Sequence, residues 1–238
     1  MAVAITIARR ELASYFYSPV AYVAMTLFLL TCGILFWNDF RPGQPVAMRT
    51  LFEWMVWLLV FVVPVLCMGL LAQEWSSGTF ETLMTAPLTE TDVVIGKFLG
   101  AFSFFLFLLS PTLLYVALLG LYGRLDFGPV VSGYLGILLV GGLFAAVGLF
   151  CSSVTRSQVV AAVLAATVLF VVTIVPWWVT TRTALGGFWR KVADQCVFAR
   201  YTDFSKGVID LGHVVFFAAA TCVFLFLTVK VVESQRWK

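Results

Sequence analysis

The chain has 238 residues, of which 62% are hydrophobic and only 11% charged, and its formal net charge is +3 at pH 7. Soluble domains carry about 25% charged residues, whereas the mean hydropathy of this chain is +1.02. The composition excludes a water-soluble globular protein and gives no reason to expect a nucleic-acid partner. It predicts an all-α protein that crosses a membrane several times.

Residues 1–17 predict an amphipathic helix that lies in the membrane interface. Apolar residues recur there at helical spacing, and a charged group, Arg9-Arg10-Glu11, lies between them. Ser18-Pro19 ends this helix, because the residue before a proline avoids helical geometry and proline suits the first turn of the next helix.

Six apolar runs follow, each long enough to cross a bilayer, which takes about 20 residues. They are continuous instead of alternating in ten-residue pieces, which favours helices over a membrane β-barrel. With an even number of spans, both termini lie on the same side, and the whole chain, residues 1–238, forms one membrane domain. The predicted spans are Val20–Phe36, Trp54–Ala72, Phe98–Leu121, Val130–Phe150, Val159–Val179 and Val214–Val232.

The connector between the second and third spans contains the stretch Glu74–Pro87, called the coupling segment below. Two carboxylates, a glycine, a proline and several hydroxyls exclude it from hydrocarbon, so it must fold on one surface of the membrane. Ser76 or Ser77 is predicted to cap a short helix there, and Pro87 ends it.

The coupling segment resembles the corresponding segment of ABC-2-type transporter permeases. In that family, this segment receives the conformational change of a separate ATPase. The opening from Arg9 to Pro19 and the polar turn Cys151–Gln158 are also similar to that family. The run Phe204–Asp210, with the last span and its Glu233–Lys238 ending, resembles the gliding-motility-type subgroup.

This resemblance implies a permease subunit that works as a homodimer or heterodimer in the inner (cytoplasmic) membrane, with both termini in the cytoplasm. Two ATPase subunits would bind ATP and Mg²⁺. The chain itself has no G-x-x-x-x-G-K-[ST] phosphate loop. It is therefore predicted to be no enzyme and to hold no cofactor or metal of its own.

Two groups of contact residues follow from the resemblance and the residue pattern. Apolar side chains of the coupling segment are expected to enter a cleft of the ATPase, while carboxylates orient it by charge. The residues predicted to contact the ATPase are Glu74, Trp75, Phe80, Glu81, Leu83, Arg9, Arg10 and Arg156. The alternative is a solvated loop with a membrane-anchoring tryptophan, and arginines that bind lipid phosphates.

The last connector, Thr180–His213, mixes apolar and charged residues and predicts short helices at the outer interface. An external protein partner would dock there. The residues predicted for that surface are Phe188, Trp189, Arg190 and Phe198. His213 is expected to pair with Asp210, since one histidine with one carboxylate is too few for a zinc site.

Export of an unidentified substrate is the function predicted for the complex. Ion-coupled carriage is disfavoured, because the middle of each span lacks Asp, Glu, Arg and His. Two alternatives remain, a complex that transmits force to a periplasmic partner and a membrane anchor or assembly factor without an ATPase. A small-residue face, Gly141 to Gly148, predicts close helix contact, either within one subunit or between two.

Overall fold

A computed structural model of the protein describes residues 2–39, 48–78, 89–122, 126–181 and 196–235. Of these residues 91% are helical and none lies in a strand. Six helical stretches in this part of the chain are long and apolar enough to cross a membrane. The predicted fold class, an all-α polytopic membrane protein, is confirmed.

The helices are named α1 to α10 in chain order over the described residues. Each of the six predicted spans overlaps one long helical stretch. The bounds are α1 Ala2–Tyr17, α2 Pro19–Asp39, α3 Arg49–Cys67, α4 Ala72–Ser77, α5 Glu90–Leu109, α6 Leu113–Tyr122, α7 Phe127–Val154, α8 Gln158–Thr181, α9 Val197–Ser205 and α10 Leu211–Gln235. A 3-10 turn, Ser110–Thr112, joins α5 to α6 around Pro111.

Helix α5 begins eight residues before the predicted third span, because local hydrogen bonds start it early. The Thr89 hydroxyl accepts the backbone N–H of Asp92 at 3.2 Å, and the same hydroxyl donates to the Asp92 carboxylate at 2.7 Å. This cap satisfies one of the free N–H groups at the helix start. Lys97, expected at the edge of the span, therefore lies two turns inside the helix.

The chain order places α1, α4, the α7–α8 turn and the end of α10 on one side of the bundle, called the N-terminal face. Helix α9 and the start of α10 lie on the opposite face. Gln235, near the end of α10, donates to the Ser153 carbonyl at 3.3 Å, and Ser132 of α7 donates to the Phe204 carbonyl at 2.7 Å. These bonds tie the ends of the bundle together at both faces.

Helix α7 lies at the centre of the bundle, in contact with α3, α5, α8, α9 and α10. Its small-residue face packs within the subunit. A Cβ on Gly141 would lie 2.2 Å from the Phe105 ring, and one on Gly148 would lie 2.7 Å from the Cβ of Cys67. Of the two arrangements left open by the sequence, these contacts support packing inside one chain.

Helix α9 packs its apolar side into the bundle, which corrects one predicted surface residue. Phe198 is only 6% exposed and meets Trp57 edge to face, with ring centroids 5.5 Å apart. It is therefore part of the core and offers no surface to an external partner. The amphipathic pattern of the connector was real, but its apolar side faces protein.

The predicted pairing of His213 with Asp210 is also corrected. His213 Nε2 lies 3.2 Å from a carboxylate oxygen of Asp203 and 4.0 Å from one of Asp210. The Asp210 carboxylate instead accepts the backbone N–H of Gly212 at 2.8 Å, where it caps the start of α10. Arg200 contacts the other ring nitrogen of His213 at 3.3 Å.

Replacing Gly148 by alanine is expected to lower the melting temperature of the purified protein in detergent. Its Cβ would meet the Cβ of Cys67, which cannot move without its backbone, so α3 and α7 must separate at a cost of about 1–3 kcal/mol. Gly120→Ala is the matched control, because no atom lies within 4 Å of the added methyl group. Equal melting temperatures for the two variants would contradict this packing.

Candidate functional site

Four charged side chains on the N-terminal face form a group called here the charge cluster: Arg10, Glu11, Glu74 and Lys97. The Lys97 ammonium donates to Glu11 at 2.9 Å and to Glu74 at 2.8 Å. Arg10 adds a contact of 3.4 Å to Glu74 and lies 3.8 Å from Glu11. The cluster therefore joins α1, α4 and α5, which are far apart in sequence.

Lys97 is the buried centre of the charge cluster. Its side chain is only 1% exposed, whereas those of Glu11 and Glu74 are 14% and 15% exposed. A buried ammonium is costly unless carboxylates pair with it. Two carboxylates balance Lys97 and Arg10, so the cluster is neutral in total and its members depend on one another.

The charge cluster forms because α1 lies unusually close to α5. A Cβ on Gly96 would lie 2.8 Å from Ile7 Cβ, and one on Gly100 would lie 2.7 Å from Glu11 Cβ. Glycines four residues apart let two helix backbones approach closely. Lys97 sits between these glycines in sequence, and it therefore reaches Glu11 across the same contact.

Tyr15 extends the attachment of α1 to the second span. Its hydroxyl donates to the Leu66 carbonyl at 2.9 Å, and its ring stacks on Phe104 with centroids 4.7 Å apart. Burial raises the pKa of the Tyr15 phenol well above its ordinary value, with smaller contributions from Cys67 and Glu11. The phenol consequently stays protonated and remains a donor to Leu66.

A serine from the centre of the bundle positions α4. Ser152, at the end of α7, accepts the backbone N–H groups of Leu71 and Ala72 at 3.1 and 3.0 Å, and donates to the Met68 carbonyl at 3.0 Å. These are the first donors of α4, which a helix leaves without internal partners. Ser152 thus caps a helix 80 residues away in sequence and turns the chain after α3.

This turn explains why α3 ends at Cys67, although the apolar run predicted a span that continues to Ala72. Met68, Gly69 and Leu70 form the turn, and α4 then leads into the coupling segment. Helix α4 ends at Gly78, whose φ of 71° lies in the left-handed region that favours glycine. The described start of the coupling segment is therefore a short helix held from two sides.

The helix that Ser76 or Ser77 is predicted to cap falls on residues outside the described part of the chain, so that role stays a prediction. Both residues form the last turn of α4, and their hydroxyls donate back to the carbonyl of Gln73 at 2.9 Å. A serine hydroxyl within a helix can donate a hydrogen bond to the backbone carbonyl three or four residues earlier, and serine can also cap the start of a helix. Gly78 was the signal for a helix end at this point.

The structure brings together two of the residues predicted to contact an ATPase, Glu74 and Arg10. Arg9 and Arg156 are exposed on the same face. Trp75 is half-buried and packs against the apolar core, so part of its ring stabilises α4. Whether these side chains touch an ATPase stays a prediction.

Several predicted contact residues lie outside the described part of the chain. For the ATPase contact they are Phe80, Glu81 and Leu83, and for the external surface they are Phe188, Trp189 and Arg190. Their predicted roles are therefore untested by the geometry.

The sequence prediction missed Lys97 and Ser152, which organise the N-terminal face. A lysine at the edge of a span ordinarily extends to the membrane surface, and a serine near a helix end ordinarily faces water. The available signal for Lys97 was its position between Gly96 and Gly100. For Ser152 the sequence marked only the polar turn Cys151–Gln158 that contains it, and its capping role was not visible because its partners lie outside its own helix.

Comparison with known families matches residues 44–185 to a family described as ABC-2 family transporter protein. The match spans more than half of the 238 residues. The chain belongs to the ABC-2 family. A search of the curated proteins finds no match.

The matched region runs from the chain just before α3 into the segment after α8, and it includes Glu74, Lys97 and Ser152. Glu11 and Arg10 precede it, so the charge cluster joins the matched region to the N-terminal helix. ABC-2 permeases are membrane components of ABC transporters that associate with ABC ATPases, and they are generally not catalytic themselves.

Replacing Lys97 by methionine is expected to destabilise the protein by about 3–5 kcal/mol, because it leaves two carboxylates that only the exposed Arg10 balances. Lys230→Met is the matched control. Lys230 pairs with Glu233 at 2.6 Å with both side chains about half exposed, and such pairs contribute roughly 0–1 kcal/mol. Chemical or thermal unfolding in detergent measures both losses.

A second variant separates lost charge balance from lost packing at Lys97. Adding Glu74→Gln to Lys97→Met removes one of the uncompensated carboxylates and should restore part of the stability. If the two residues are not coupled, the losses of stability of the single variants Lys97→Met and Glu74→Gln add up in the double variant. Such additivity would contradict the ion pair.

Replacing Ser152 by alanine is expected to cost about 1–3 kcal/mol, because the buried N–H groups of Leu71 and Ala72 lose their partner. Ser153→Ala is the control, since the Ser153 hydroxyl donates to Phe150 in its own helix at 2.6 Å. Hydrogen exchange followed by mass spectrometry should show faster exchange at residues 71–72 in the Ser152 variant alone. Unchanged exchange there would contradict the capping role.

Proposed function

We propose that the chain is the membrane-spanning subunit of an ATP-driven ABC transporter and couples hydrolysis by a separate ATPase to export of a substrate. Membership of the ABC-2 family supports this assignment. The observation that carries the coupling role is the double attachment of α4, by the charge cluster on one side and by Ser152 on the other.

Helix α4 is placed to pass a displacement to the spans. Glu74 pairs with Lys97 of α5 at 2.8 Å, and Lys97 pairs with Glu11 of α1 at 2.9 Å. A force on the coupling segment that moves α4 must move these two helices or break buried ion pairs. Packed helices shift as units instead of deforming continuously, so α1, α4 and α5 respond together.

The second attachment leads to the centre of the bundle. Ser152 belongs to α7, which besides α4 contacts α3, α5, α8, α9 and α10. A displacement of α4 that keeps the three hydrogen bonds of Ser152 therefore tilts α7 and the helices around it. This arrangement suits a subunit in which a displacement at the N-terminal face rearranges the spans.

The proposal includes an orientation and a stoichiometry. The N-terminal face lies in the cytoplasm of a cell with an inner membrane, where Arg9, Arg10 and Arg156 are accessible to an ATPase. Two permease subunits, identical or related, bind two ATPase subunits that hold ATP and Mg²⁺. Membership of the gliding-motility-type subgroup is part of the proposal, on the resemblance of Phe204–Asp210 and the residues Glu233–Lys238.

Transmission of force to an external partner is the alternative that the same parts allow. Its predicted docking surface included Phe198, which lies in the core. The described part of the last connector, helix α9, therefore gives this alternative no support, and export is preferred.

A pull-down in mild detergent tests the proposal. The tagged chain, taken from its native membrane, should bring down an ATPase with a phosphate loop at about one copy per copy of the chain, as identified by mass spectrometry. The double variant Phe80→Asp/Leu83→Asp should lose that ATPase, because charged side chains cannot enter an apolar cleft.

Ser234→Asp, an exposed position near the end of α10 on the same face, is the control and should retain the ATPase. A stable wild-type chain that brings down no ATPase would contradict the coupling role and favour a membrane anchor. An external protein recovered together with the ATPase would favour force transmission over export.

A further inference from the structure

A crevice of about 290 Å³ opens on the N-terminal face, beside the charge cluster. It lies between the end of α1, the first turn of α2, the turn after α3, and the starts of α4 and α8. Ligand pockets typically measure about 300–1,000 Å³. The crevice is therefore large enough for a small polar group and too small for a whole lipid.

The position of the crevice fixes its depth relative to the membrane. Pro19 starts α2 beside it, Val65 and Leu66 belong to the last turn of α3, and Gln158 is the first residue of α8. Three apolar spans begin or end at this level. The crevice therefore lies where hydrocarbon gives way to water, at the depth of lipid headgroups.

The walls of the crevice have two kinds of surface. Val20, Val65 and Leu66 form an apolar wall next to the spans. The hydroxyls of Ser14 and Ser18 and the amides of Gln73 and Gln158 form a polar rim. The two amides approach each other over Gly69, where an added Cβ would lie 3.3 Å from the Gln73 oxygen and 4.0 Å from the Gln158 amide carbon.

The polar groups of the lining select between ligands. Glu11 contributes a carboxylate, whose Oε1 already accepts from Lys97 at 2.9 Å, whereas no lysine, arginine or histidine is among the described residues that line the crevice. An anionic group would lack a cationic partner and would face this carboxylate. An amine would gain from the second oxygen of the Glu11 carboxylate and from hydroxyl and amide oxygens, all of which accept hydrogen bonds.

We propose that the crevice binds the primary ammonium headgroup of a phospholipid, of the phosphatidylethanolamine type. An ammonium group has three N–H donors, which match the acceptors of the rim, and the apolar wall contacts the lipid backbone as it enters the membrane. A choline headgroup carries the same charge but has no N–H donor. This site is separate from the docking of an ATPase, and it stands even if no ATPase binds.

Occupancy of the crevice adds a contact between α1 and α4. The headgroup would touch Glu11 of the charge cluster and Gln73, which precedes Glu74 on α4. A bound lipid stabilises the folded protein by RT ln(1 + L/Kd), where L is the free lipid concentration, so tighter binding at a fixed lipid concentration gives a more stable protein. The melting temperature should therefore depend on the headgroup supplied.

Native mass spectrometry of the delipidated protein tests the proposal with phosphatidylethanolamine, phosphatidylcholine and phosphatidylglycerol of identical acyl chains. One copy of the ethanolamine lipid should bind about tenfold or more tightly than either of the others, as expected for charge-assisted hydrogen bonds. Equal binding of the three lipids, or preference for the anionic glycerol lipid, would overturn the proposal.

Variants locate the binding site. Ser14→Leu/Gln158→Leu removes a hydroxyl and an amide from the rim and should reduce the preference to about twofold or less. Ala13→Leu/Val159→Leu changes exposed neighbours on the same two helices outside the crevice and should keep the preference. An unchanged preference in the rim variant, with native melting behaviour, would place the lipid elsewhere and contradict the proposal.

A soluble competitor tests whether the ligand is a lipid. Glycerophosphoethanolamine has the same headgroup without acyl chains, so it lacks the contact with the apolar wall and with hydrocarbon. It should fail to displace the lipid at equal concentration. Displacement would show that the free headgroup is the ligand, against the proposal.

Discussion

The neutralisation of one buried lysine constrains the whole N-terminal face. Lys97 can remain 1% exposed inside an apolar bundle only because Glu11 and Glu74 both reach it. This requirement brings α1 against α5 and holds α4 where Glu74 points back toward the spans. The glycines at 96 and 100 make the approach possible, and Ser152 fixes the turn that delivers Glu74. Charge balance, helix contact and chain direction are therefore satisfied together.

The six-span architecture followed from the sequence because continuous apolar runs of this length have few other structures available. The first and last residues of the helices could not be predicted from the apolar runs, because polar contacts determine where each helix begins and ends. Thr89 and Asp92 start α5 well before its apolar run. The end of α3 at Cys67 depends on Ser152 of another helix.

The candidate site was predictable only where a local pattern marked it. Glu74 stood out as a carboxylate in a polar connector, and Arg10 as part of a charged group before the first span. Their common partner, Lys97, required knowing that positions 11, 74 and 97 meet in space, which one sequence does not contain. Asp210 shows how a short polar side chain can depart from the expected pairing. It accepts the nearby backbone N–H of Gly212, whereas the sequence pattern suggested His213 as its partner.

The order of the charge cluster along the chain has a consequence for synthesis and membrane insertion. A charged lysine within a membrane helix costs free energy during insertion unless a counter-charge accompanies it. Both carboxylates that pair with Lys97, at positions 11 and 74, are made before it. When α5 leaves the ribosome, its cation meets counter-charges that are already present on α1 and α4. The N-terminal helix thus acts during assembly as an internal counter-ion for the third span, and a chain that begins after α1 would insert Lys97 with half of its compensation missing.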